Sequence, residues 1–483
     1  MIALLLAATL SGAIRAHMTF LADDMLEGRG TATRGHEIAA RYVAAQFEGI
    51  GLETKLQPVP MRRAELVASE SRVELIRADG TRTILAAGRD CILAGDFRGL
   101  SDVEAPLVFA GFGVTAPEHK YDDYAKIDAR GKIVAVTGGA PKDFNAEERA
   151  HYASAKGENA AAHGAIGIVR LWTAEDETSG TWEATVRSYS SIGSFAWLDG
   201  DAPHPFLPQL RGAAWIAPSA SKDIPPRIRI VNRSRTNDLQ SPNVIGVLRG
   251  TDPALRDEYV VISAHLDHLG IGEPVRGDAI YNGAVDNASG VATLIELARI
   301  FAAAPPRRSI LFIAVTAEEP GLIGSDYFAQ HPSVPRDAMV ANINIDGASM
   351  WDFDALFARG ADHSSLKTNV EASGEMIVGD PFPDQAGFVR SDQYSFVRIG
   401  VPSIILGAKR SAEARTVALE WVKNRYHQPG DDMTQPLDFD AAARFAADLY
   451  KIAQSIAQQD QRPKWNKGDF FGVRFGTAST KSD

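Results

Sequence analysis

Residues 259–268 read YVVISAHLDH, a run of β-branched and apolar residues that ends in histidine and aspartate. Three similar runs follow along the chain, SILFIAVT at 309–316, MVANINI at 339–345 and VPSIIL at 401–406. Strands that are apolar along their whole length are typical of sheets buried on both faces. Helical stretches lie between these runs, for example GVATLIELARIFAAA at 290–304. The sequence therefore predicts an α/β domain in which helices flank a central sheet.

The length of the chain and a change of pattern along it predict more than one domain. Its 483 residues exceed what a single hydrophobic core normally accommodates. Part of the chain consists of short alternating strands broken by Gly, Pro and Asp, and Asp79–Gly80 predicts a hairpin turn there. We expect four segments: an N-terminal part of the α/β domain at 14–55, a β-rich domain at 56–236, the main part of the α/β domain at 237–460 and a C-terminal tail at 461–483.

Composition and charge exclude several classes of protein. The net charge is −11 and the chain has no basic stripe, which excludes nucleic acid as a partner. No segment has the length and apolar character of a transmembrane helix, so we expect no stable membrane span. The single cysteine, Cys91, excludes an intrachain disulfide framework and a cysteine-rich zinc finger. The sequence does not indicate an oligomeric state.

Histidines and carboxylates follow the predicted strands of the α/β domain at five points. Loops at the carboxyl ends of strands converge on a crevice in open α/β sheets, so we expect these side chains to lie close together. Singly, each has an ordinary alternative as a helix cap, a first-turn acid, a turn residue or a surface loop residue. Together, in this order, they predict a functional site. The candidates are His265, Asp286, the pair Glu318–Glu319, Asp346 and His427.

Imidazole and carboxylate together are the ligand mix of zinc, and the absence of thiolates is typical of a catalytic zinc site. Two histidines and three carboxylates suffice for two zinc ions if one carboxylate bridges them, an arrangement suited to hydrolysis. A further carboxylate is then needed to carry the proton. Glu318 and Glu319 can supply one base and one ligand, because neighbouring side chains point to different sides of an extended backbone. Asp267 is placed to accept the second N–H of His265.

Several stretches carry a resemblance to a known family. They are RAHMTFLADDMLEGRGTATRG (15–35), SAHLDH (263–268), AVDNASGVATLIELAR (284–299), AEEPGLIGSDYF (317–328), NINIDG (342–347), RSDQYSFVRIGVPSI (390–404) and YHQPGDD (426–432). The chain resembles the aminopeptidase Y-type family of co-catalytic two-zinc exopeptidases. The resemblance implies a mixed, mostly parallel sheet flanked by helices. It also implies an inserted, β-rich protease-associated domain, which APLVFAGFGV (105–114), YDDYAKIDARGKIVAVTGG (121–139) and AAAHGAIGIV (160–169) resemble.

The resemblance also implies a role for each candidate residue. His265 and Asp346 would hold one zinc, Glu319 and His427 would hold the other, and Asp286 would bridge the two. Glu318 would be the general base and acid, and Asp267 would orient His265. Tyr426 resembles a family tyrosine that hydrogen-bonds the tetrahedral oxyanion, although it can equally be a packed aromatic residue beside the loop. The resemblance thus implies that two residues act in catalysis, Glu318 and Tyr426. It implies that five residues bind zinc, namely His265, Asp286, Glu319, Asp346 and His427.

The implied activity is hydrolysis of N-terminal residues from peptide substrates. A carboxypeptidase or an amidase-like hydrolase on the same two-zinc site is the alternative within enzymes, because Arg390 and Arg398 flank a loop expected to face the site. Arg390 and Asp392 are the predicted substrate-binding residues. Gln393 stands where some sub-families have histidine, so local substrate contacts are expected to differ. The alternative from another class is a non-catalytic, peptidase-like binding protein.

The N-terminal segment predicts export. Residues 1–13, MIALLLAATLSGA, are apolar and small, like the hydrophobic part of a secretory signal peptide. The segment has no basic n-region, and an ordinary amphipathic helix start is the alternative interpretation. Together with the family resemblance, it predicts a periplasmic or secreted bacterial protein.

Overall fold

The computed structural model describes residues 2–178, 181–183, 185–186, 193–203, 210–220, 225–374, 380–478 and 480–481. The chain folds into two compact units. Met1–Val59 and Gln240–Asp483 form the first unit, and Pro60–Leu239 forms the second. The second unit is therefore inserted in sequence between two parts of the first.

Helices and strands occur in both units. The α-helices of the described residues are α1 (Ile2–Leu21), α2 (Arg34–Ile50), α3 (Ala146–Ser154), α4 (Lys156–Ala162), α5 (Ser289–Ala303), α6 (Ile323–Gln330), α7 (Leu366–Ala372), α8 (Gln393–Arg398), α9 (Ala412–Asn424), α10 (Phe439–Gln458) and α11 (Phe470–Phe475). The strands are β1 (Glu53–Leu66), β2 (Arg72–Ile76), β3 (Arg82–Ala86), β4 (Cys91–Ile92), β5 (Leu100–Phe109), β6 (Thr115–Ala116), β7 (Tyr121–Asp122), β8 (Ile133–Thr137), β9 (Gly167–Leu171), β10 (Ser194–Asp199), β11 (Ala202–Pro203), β12 (Gly212–Ile216), β13 (Arg227–Leu248), β14 (Tyr259–His265), β15 (Gly270–Val275), β16 (Asp278–Tyr281), β17 (Ser309–Val315), β18 (Met339–Ile345), β19 (Phe353–Arg359) and β20 (Ser403–Arg410).

A mixed sheet runs through the first unit in the order β19-β20-β18-β14-β17-β13. The four strands β20, β18, β14 and β17 are parallel to their neighbours in this set, whereas β19 and β13 join antiparallel. Every residue of β14, β17 and β18 is buried, as expected for strands covered on both faces. The predicted α/β fold with a mixed, mostly parallel sheet is confirmed.

Two apolar layers cover this sheet. Successive side chains of a strand point to opposite faces. Val260 and Ile262 of β14 accordingly pack into the larger core, to which α1, α2, α5 and α10 contribute. Val261 packs into a second core with Phe328 of α6 and Phe396 of α8. This double covering fixes the strands rigidly, and with them the loops at their carboxyl ends.

The first helix belongs to the larger core. Ile14, Met18 and Leu21 of α1 are fully buried there. Across the described ranges, no helix combines the length and the apolar character needed to cross a bilayer.

The strands of the second unit also pair in a mixed arrangement. Its strand order is β13-β5-β8-β9-β12-β4, with β5, β8, β9 and β12 parallel and β4 antiparallel at the end of the path. The strands β2 and β3 form an antiparallel hairpin in which Ile76 pairs with Arg82. Gly80 in its turn has φ 83°, so the hairpin predicted at Asp79–Gly80 is confirmed. The assignment of this unit as a protease-associated domain stays a prediction.

The segment expected to be a C-terminal tail is anchored in the first unit. The indole of Trp465 is fully buried with Phe388 and Phe471, and its Nε1 donates to the carbonyl of Gly400 at 2.9 Å. A large aromatic side chain buried in this way ties residues after 461 to the fold.

Candidate metal centre

The carboxyl ends of three parallel strands carry most of the predicted site. His265 is the last residue of β14, and Asp346 directly follows β18. Glu318 and Glu319 lie in the turn that follows β17. Because β14 lies between β17 and β18 and is parallel to both, these three ends meet at one edge of the sheet.

Asp286 is the central residue of the cluster. It lies in the irregular turn Ala284–Ala288 that directly precedes α5, and its side chain is 8% exposed. Its Oδ1 lies 3.1 Å from Nε2 of His265, and its Oδ2 lies 3.1 Å from Nε2 of His427. One carboxylate therefore faces two imidazoles with its two oxygens.

The remaining donors complete two groups around Asp286. Nε2 of His265 lies 3.3 Å from Oδ1 of Asp346, and Nε2 of His427 lies 3.4 Å from Oε2 of Glu319. Two ligands of one tetrahedral zinc, each about 2.0–2.1 Å from the metal, stand about 3.3 Å apart. The observed separations of 3.1–3.4 Å therefore fit a metal on each side of Asp286. The structure brings all five predicted ligands together.

The electrostatics of the cluster also fit bound cations. Burial raises the pKa of Glu318 well above its usual value, with Asp346 and Asp392 acting in the same direction and His265 against them. For His265 itself, burial lowers the pKa, but Glu318 and the other facing carboxylates outweigh this and raise it overall. Buried carboxylates that crowd together are costly when ionised. Divalent cations would compensate this negative charge.

Asp267 supports the site differently from the prediction. Its side chain was expected to accept the second N–H of His265, but Nδ1 of that imidazole faces the backbone carbonyl of Asp267 at 3.1 Å. The Asp267 carboxylate points instead to the turn after β17, where it accepts the backbone N–H groups of Glu318 at 3.0 Å and Glu319 at 3.4 Å. Thr31 also donates its hydroxyl to this carboxylate at 3.0 Å. Asp267 therefore fixes the backbone that carries the two glutamates.

Arg29 is a supporting residue that the sequence analysis did not single out. Its guanidinium is fully buried and donates to the backbone carbonyls of Leu266 at 2.9 Å, Asn282 at 2.6 Å and Gly283 at 3.0 Å, and also to that of Leu21. Burial lowers its pKa to about 10, against the effect of nearby carboxylates. The side chain ties the loop after β14 to the loop before Asp286. Its only sequence signal is its place in the opening stretch that carries the family resemblance.

Asp431 is a second supporting residue without a predicted role. Its carboxylate accepts the backbone N–H groups of Val285 at 3.2 Å and Asp286 at 3.1 Å. It also accepts Nε1–H of Trp421 at 2.9 Å and an amide N–H of Gln435 at 2.6 Å. These bonds fix the backbone at Val285 and Asp286. The stretch YHQPGDD contains Asp431, but spacing alone does not indicate this partner.

The predicted substrate-facing residues lie in different environments. Tyr426 stacks on the imidazole of His427 with ring centroids 3.9 Å apart, and it is 46% exposed. Asp392 is fully buried, and burial raises its pKa to about 7, with Asp346 acting in the same direction. Arg390 is exposed, and the described contacts do not bring it to the cluster. Of this set, Tyr426 contacts a candidate ligand, and Asp392 acts electrostatically on Glu318.

Gln393, the departure from some sub-families, is buried and hydrogen-bonded away from the five candidate ligands. Its amide nitrogen donates to the carbonyl of Phe388 at 2.8 Å, and its oxygen accepts from Asn344 at 3.0 Å. The residue therefore stabilises the loop that contains Asp392.

Comparison with known proteins shows what this chain is similar to. The profile of peptidase family M28 matches residues 243–453, which contain all five candidate ligands. A probable zinc metalloprotease of Pyrenophora teres f. teres is 40% identical over 105 residues, which are 21% of this chain and 22% of the relative. Aminopeptidase YwaD of Bacillus subtilis is 26% identical over 389 residues, which are 77% of this chain and 72% of the relative. The chain spans about a fifth of the length of the first curated relatives it matches.

A solved structure with the same fold covers almost the whole chain. The aminopeptidase from Aneurinibacillus sp. strain AM-1 superposes with a TM-score of 0.54 at 21% identity, covering 92% of this chain and 93% of that one. The fold and the family match agree with the resemblance carried by the motifs. Residues 243–453 of this chain are therefore similar to peptidase family M28.

Proposed function

We propose that the chain is a zinc-dependent exopeptidase that removes N-terminal residues from peptides and holds two zinc ions. The observation that carries this proposal is the Asp286 carboxylate, whose two oxygens each lie 3.1 Å from an imidazole nitrogen. A carboxylate in that position is suited to bridge two ions. Relatives named as a zinc metalloprotease and as an aminopeptidase support the same assignment.

In this proposal the donors divide into two sets that share Asp286. His265 and Asp346 hold one zinc, and Glu319 and His427 hold the other. When bound, the zinc pair supplies an activated water and polarises the scissile carbonyl. The protein positions both ions through Asp286, whose backbone is fixed by Asp431.

Glu318 carries the proton in this proposal. Its backbone N–H is held by the Asp267 carboxylate, which fixes Glu318 in the turn after β17. Burial raises the pKa of this carboxyl, so it can take a proton from the attacking water and return it to the leaving amine. Glu319, fixed by the same aspartate, turns to the other side toward His427.

The accessible side of the cluster gives the direction from which substrate approaches. The side chain of His427 is 37% exposed and that of Asp346 is 28% exposed, whereas that of His265 is 1% exposed. A peptide therefore approaches from the side of Asp346 and His427. Tyr426 stacks on His427 at this side, where its hydroxyl can donate to a developing oxyanion.

Charge at the cluster favours recognition of a free α-amine. Asp392 is a buried carboxylate that acts electrostatically on Glu318 and is not among the five proposed ligands. An acidic group there complements the α-ammonium at a peptide N-terminus. The carboxypeptidase alternative needs a cation that binds the free carboxylate of the substrate, and the described contacts do not bring Arg390 to the cluster.

A non-catalytic binding protein is disfavoured because all five donors and the proposed base remain in place. We further propose that the inserted unit, Pro60–Leu239, is a protease-associated domain, on the basis of its β-rich pattern and the stretches quoted above. Export from the cell is proposed on the apolar residues 1–13.

Removal of the bridging carboxylate tests the two-metal arrangement. Asp286→Ala should lose most of both zinc ions, because one side chain serves each ion. Zinc is measured by elemental analysis of protein dialysed against buffer with a trace of zinc. Glu413→Ala, which removes an exposed carboxylate on α9, should retain close to two equivalents. Full zinc content in Asp286→Ala would contradict a bridging role.

Substitution of the two adjacent glutamates should have different effects on zinc content and on kcat. Glu318→Gln keeps the shape of the side chain but cannot accept a proton. We therefore expect kcat to fall by ~10⁴-fold or more, the upper end of the usual range for general acid–base catalysis, while zinc content stays near native. Glu319→Gln should weaken one zinc site, with activity partly restored by added zinc. Zinc stoichiometry and kcat are measured on both variants. Loss of zinc in Glu318→Gln but not in Glu319→Gln would mean that the two roles are exchanged.

Substrates with free and blocked N-termini separate the candidate activities. An amino-acid p-nitroanilide should be cleaved, and its N-acetylated form should not. Asp392→Asn should raise KM for the free-amine substrate, because the variant removes a negative charge behind the cluster that attracts the α-ammonium. Cleavage of an N-blocked peptide from its C-terminus would instead support a carboxypeptidase. Zinc content of Asp392→Asn, which should be native, controls for damage to the metal centre.

A further inference from the structure

The second unit contains a pocket to which neither the motifs nor the comparisons assign a role. Its volume is about 340 Å³, a size that suits a small molecule or the end of a peptide. The pocket lies where three parallel strands end. Gly138 follows β8, Trp172 follows β9, and Trp215 is the last residue but one of β12. Because β9 is parallel to both other strands, this is the edge of the sheet at which ligands commonly bind.

Arg149 of α3 lines this pocket without a partner. Its Nε is buried and donates to no acceptor, and its guanidinium forms no ion pair with any other described residue. A guanidinium has five N–H donors and stays charged at every pH that the protein meets. A buried donor without an acceptor is costly, so this side chain calls for an acceptor from a ligand.

A second guanidinium is fixed at the wall of the pocket. Cζ of Arg170 lies 4.4 Å from the ring centroid of Trp215 and 5.6 Å from that of Trp172. Its Nη2 donates to Asp176, whose carboxylate also accepts the backbone N–H and the hydroxyl of Thr173 at 2.8 Å each. Its Nε is buried and has no hydrogen-bond partner in the described part of the chain. A guanidinium held in this way loses little entropy when it donates to a ligand.

The turn after β8 fits closely against this ion pair. A Cβ at Gly138 would lie 2.1 Å from Oδ1 of Asp176 and 2.8 Å from Nη2 of Arg170. Gly139 has φ +66°, and its carbonyl accepts a hydrogen bond from Nζ of Lys156. Burial lowers the pKa of Lys156 to about 8, and Arg170 acts in the same direction. The turn is thus held between two cationic side chains, and its missing side chains keep the pocket open.

The groups at the pocket indicate the chemistry of the ligand. Arginine matches the planar geometry of a carboxylate with two parallel N–H donors, and Arg149 is available for this. The indoles of Trp172 and Trp215 favour an apolar or aromatic group beside the carboxylate. Glu175 and Asp176 also line the pocket, and their negative charges oppose a dianion such as phosphate.

We propose that this pocket binds a single carboxylate carried on an apolar or aromatic group, with Arg149 as its main partner. A free amino acid and the last residue of a peptide share this chemistry. The inference goes beyond the proposed peptidase function and does not depend on it, because every residue that carries it belongs to the second unit.

Calorimetric titration of the zinc-loaded protein with N-acetyl-L-phenylalanine tests this proposal. The acid should bind saturably, and N-acetyl-L-phenylalaninamide should bind at least about 10-fold more weakly, because it lacks the charge-assisted hydrogen bonds. Equal binding of acid and amide would overturn the proposal. No saturable binding of the acid in the millimolar range, or tighter binding of inorganic phosphate, would overturn it as well.

Two further acids identify the source of the carboxylate. Tighter binding of N-acetyl-glycyl-L-phenylalanine than of L-phenylalanine would support the end of a peptide as the ligand. The reverse order would support a free amino acid.

Variants with a matched control locate the binding. Arg149→Gln should weaken binding of N-acetyl-L-phenylalanine at least about 10-fold, and Arg149→Lys, which keeps the charge, should weaken it less. Arg130→Gln is the control, because it removes an exposed guanidinium of the same unit that pairs with Asp128, and it should bind the acid as the native protein does. Thermal unfolding of each variant shows that the fold is retained.

Asp286→Ala separates this pocket from the metal centre. It should bind N-acetyl-L-phenylalanine with native affinity, because the pocket does not use the zinc pair. Unchanged binding in Arg149→Gln and Arg149→Lys would overturn the proposal. Loss of binding in Asp286→Ala would place the acid at the metal centre and overturn it too, while the proposed function would stand.

Discussion

The Asp286 carboxylate faces the imidazoles of His265 and His427 at the same time, and the loops around it are folded to keep it there. This places several carboxylates in a crevice largely closed to water. Burial accordingly raises the pKa of Glu318 and of Asp267. Side chains alone leave this crevice with excess negative charge. The proposed zinc pair supplies the balancing charge, and the chemistry then follows from the same arrangement.

The loops of the centre are irregular, so their backbone groups need partners that helices and strands do not provide. Arg29 donates to carbonyls of the loop after β14 and of the loop before α5. Asp431 accepts backbone N–H groups of that second loop, and Asp267 accepts those of the turn after β17. Each of these side chains is buried, and each holds backbone groups of the centre rather than the side-chain atoms of the candidate ligands. A rigid frame of this kind holds donor atoms at fixed separations before any ion binds.

Much of the first unit could be predicted because its central strands are buried on both faces. The runs at 259–265, 309–315 and 339–345 have no solvent-facing side to interrupt the apolar pattern, and the structure has strands at these positions. The last predicted strand was less accurate. In the structure this strand begins at Ser403 and extends to Arg410, because it pairs with the antiparallel strand Phe353–Arg359. The sequence of Phe353–Arg359 mixes polar and apolar residues, so it did not predict a strand.

The candidate ligands could also be predicted, since each follows a strand or lies in a glycine-rich loop. Their supporting residues could not. Arg29 reaches the carbonyl of Leu266 across 237 positions of sequence, and no local pattern encodes such a contact. Asp267 lies at the expected place but points to Glu318, because the loop after β14 turns its side chain toward the neighbouring strand end. The exact partner of a side chain thus depends on tertiary packing, whereas the presence of a polar cluster does not.

A crystal structure with anomalous diffraction data collected on both sides of the zinc edge tests the central claim most directly. The account predicts two zinc peaks about 3.5–4 Å apart, one on each oxygen of the Asp286 carboxylate. A single peak, or two peaks that do not share Asp286, would contradict it.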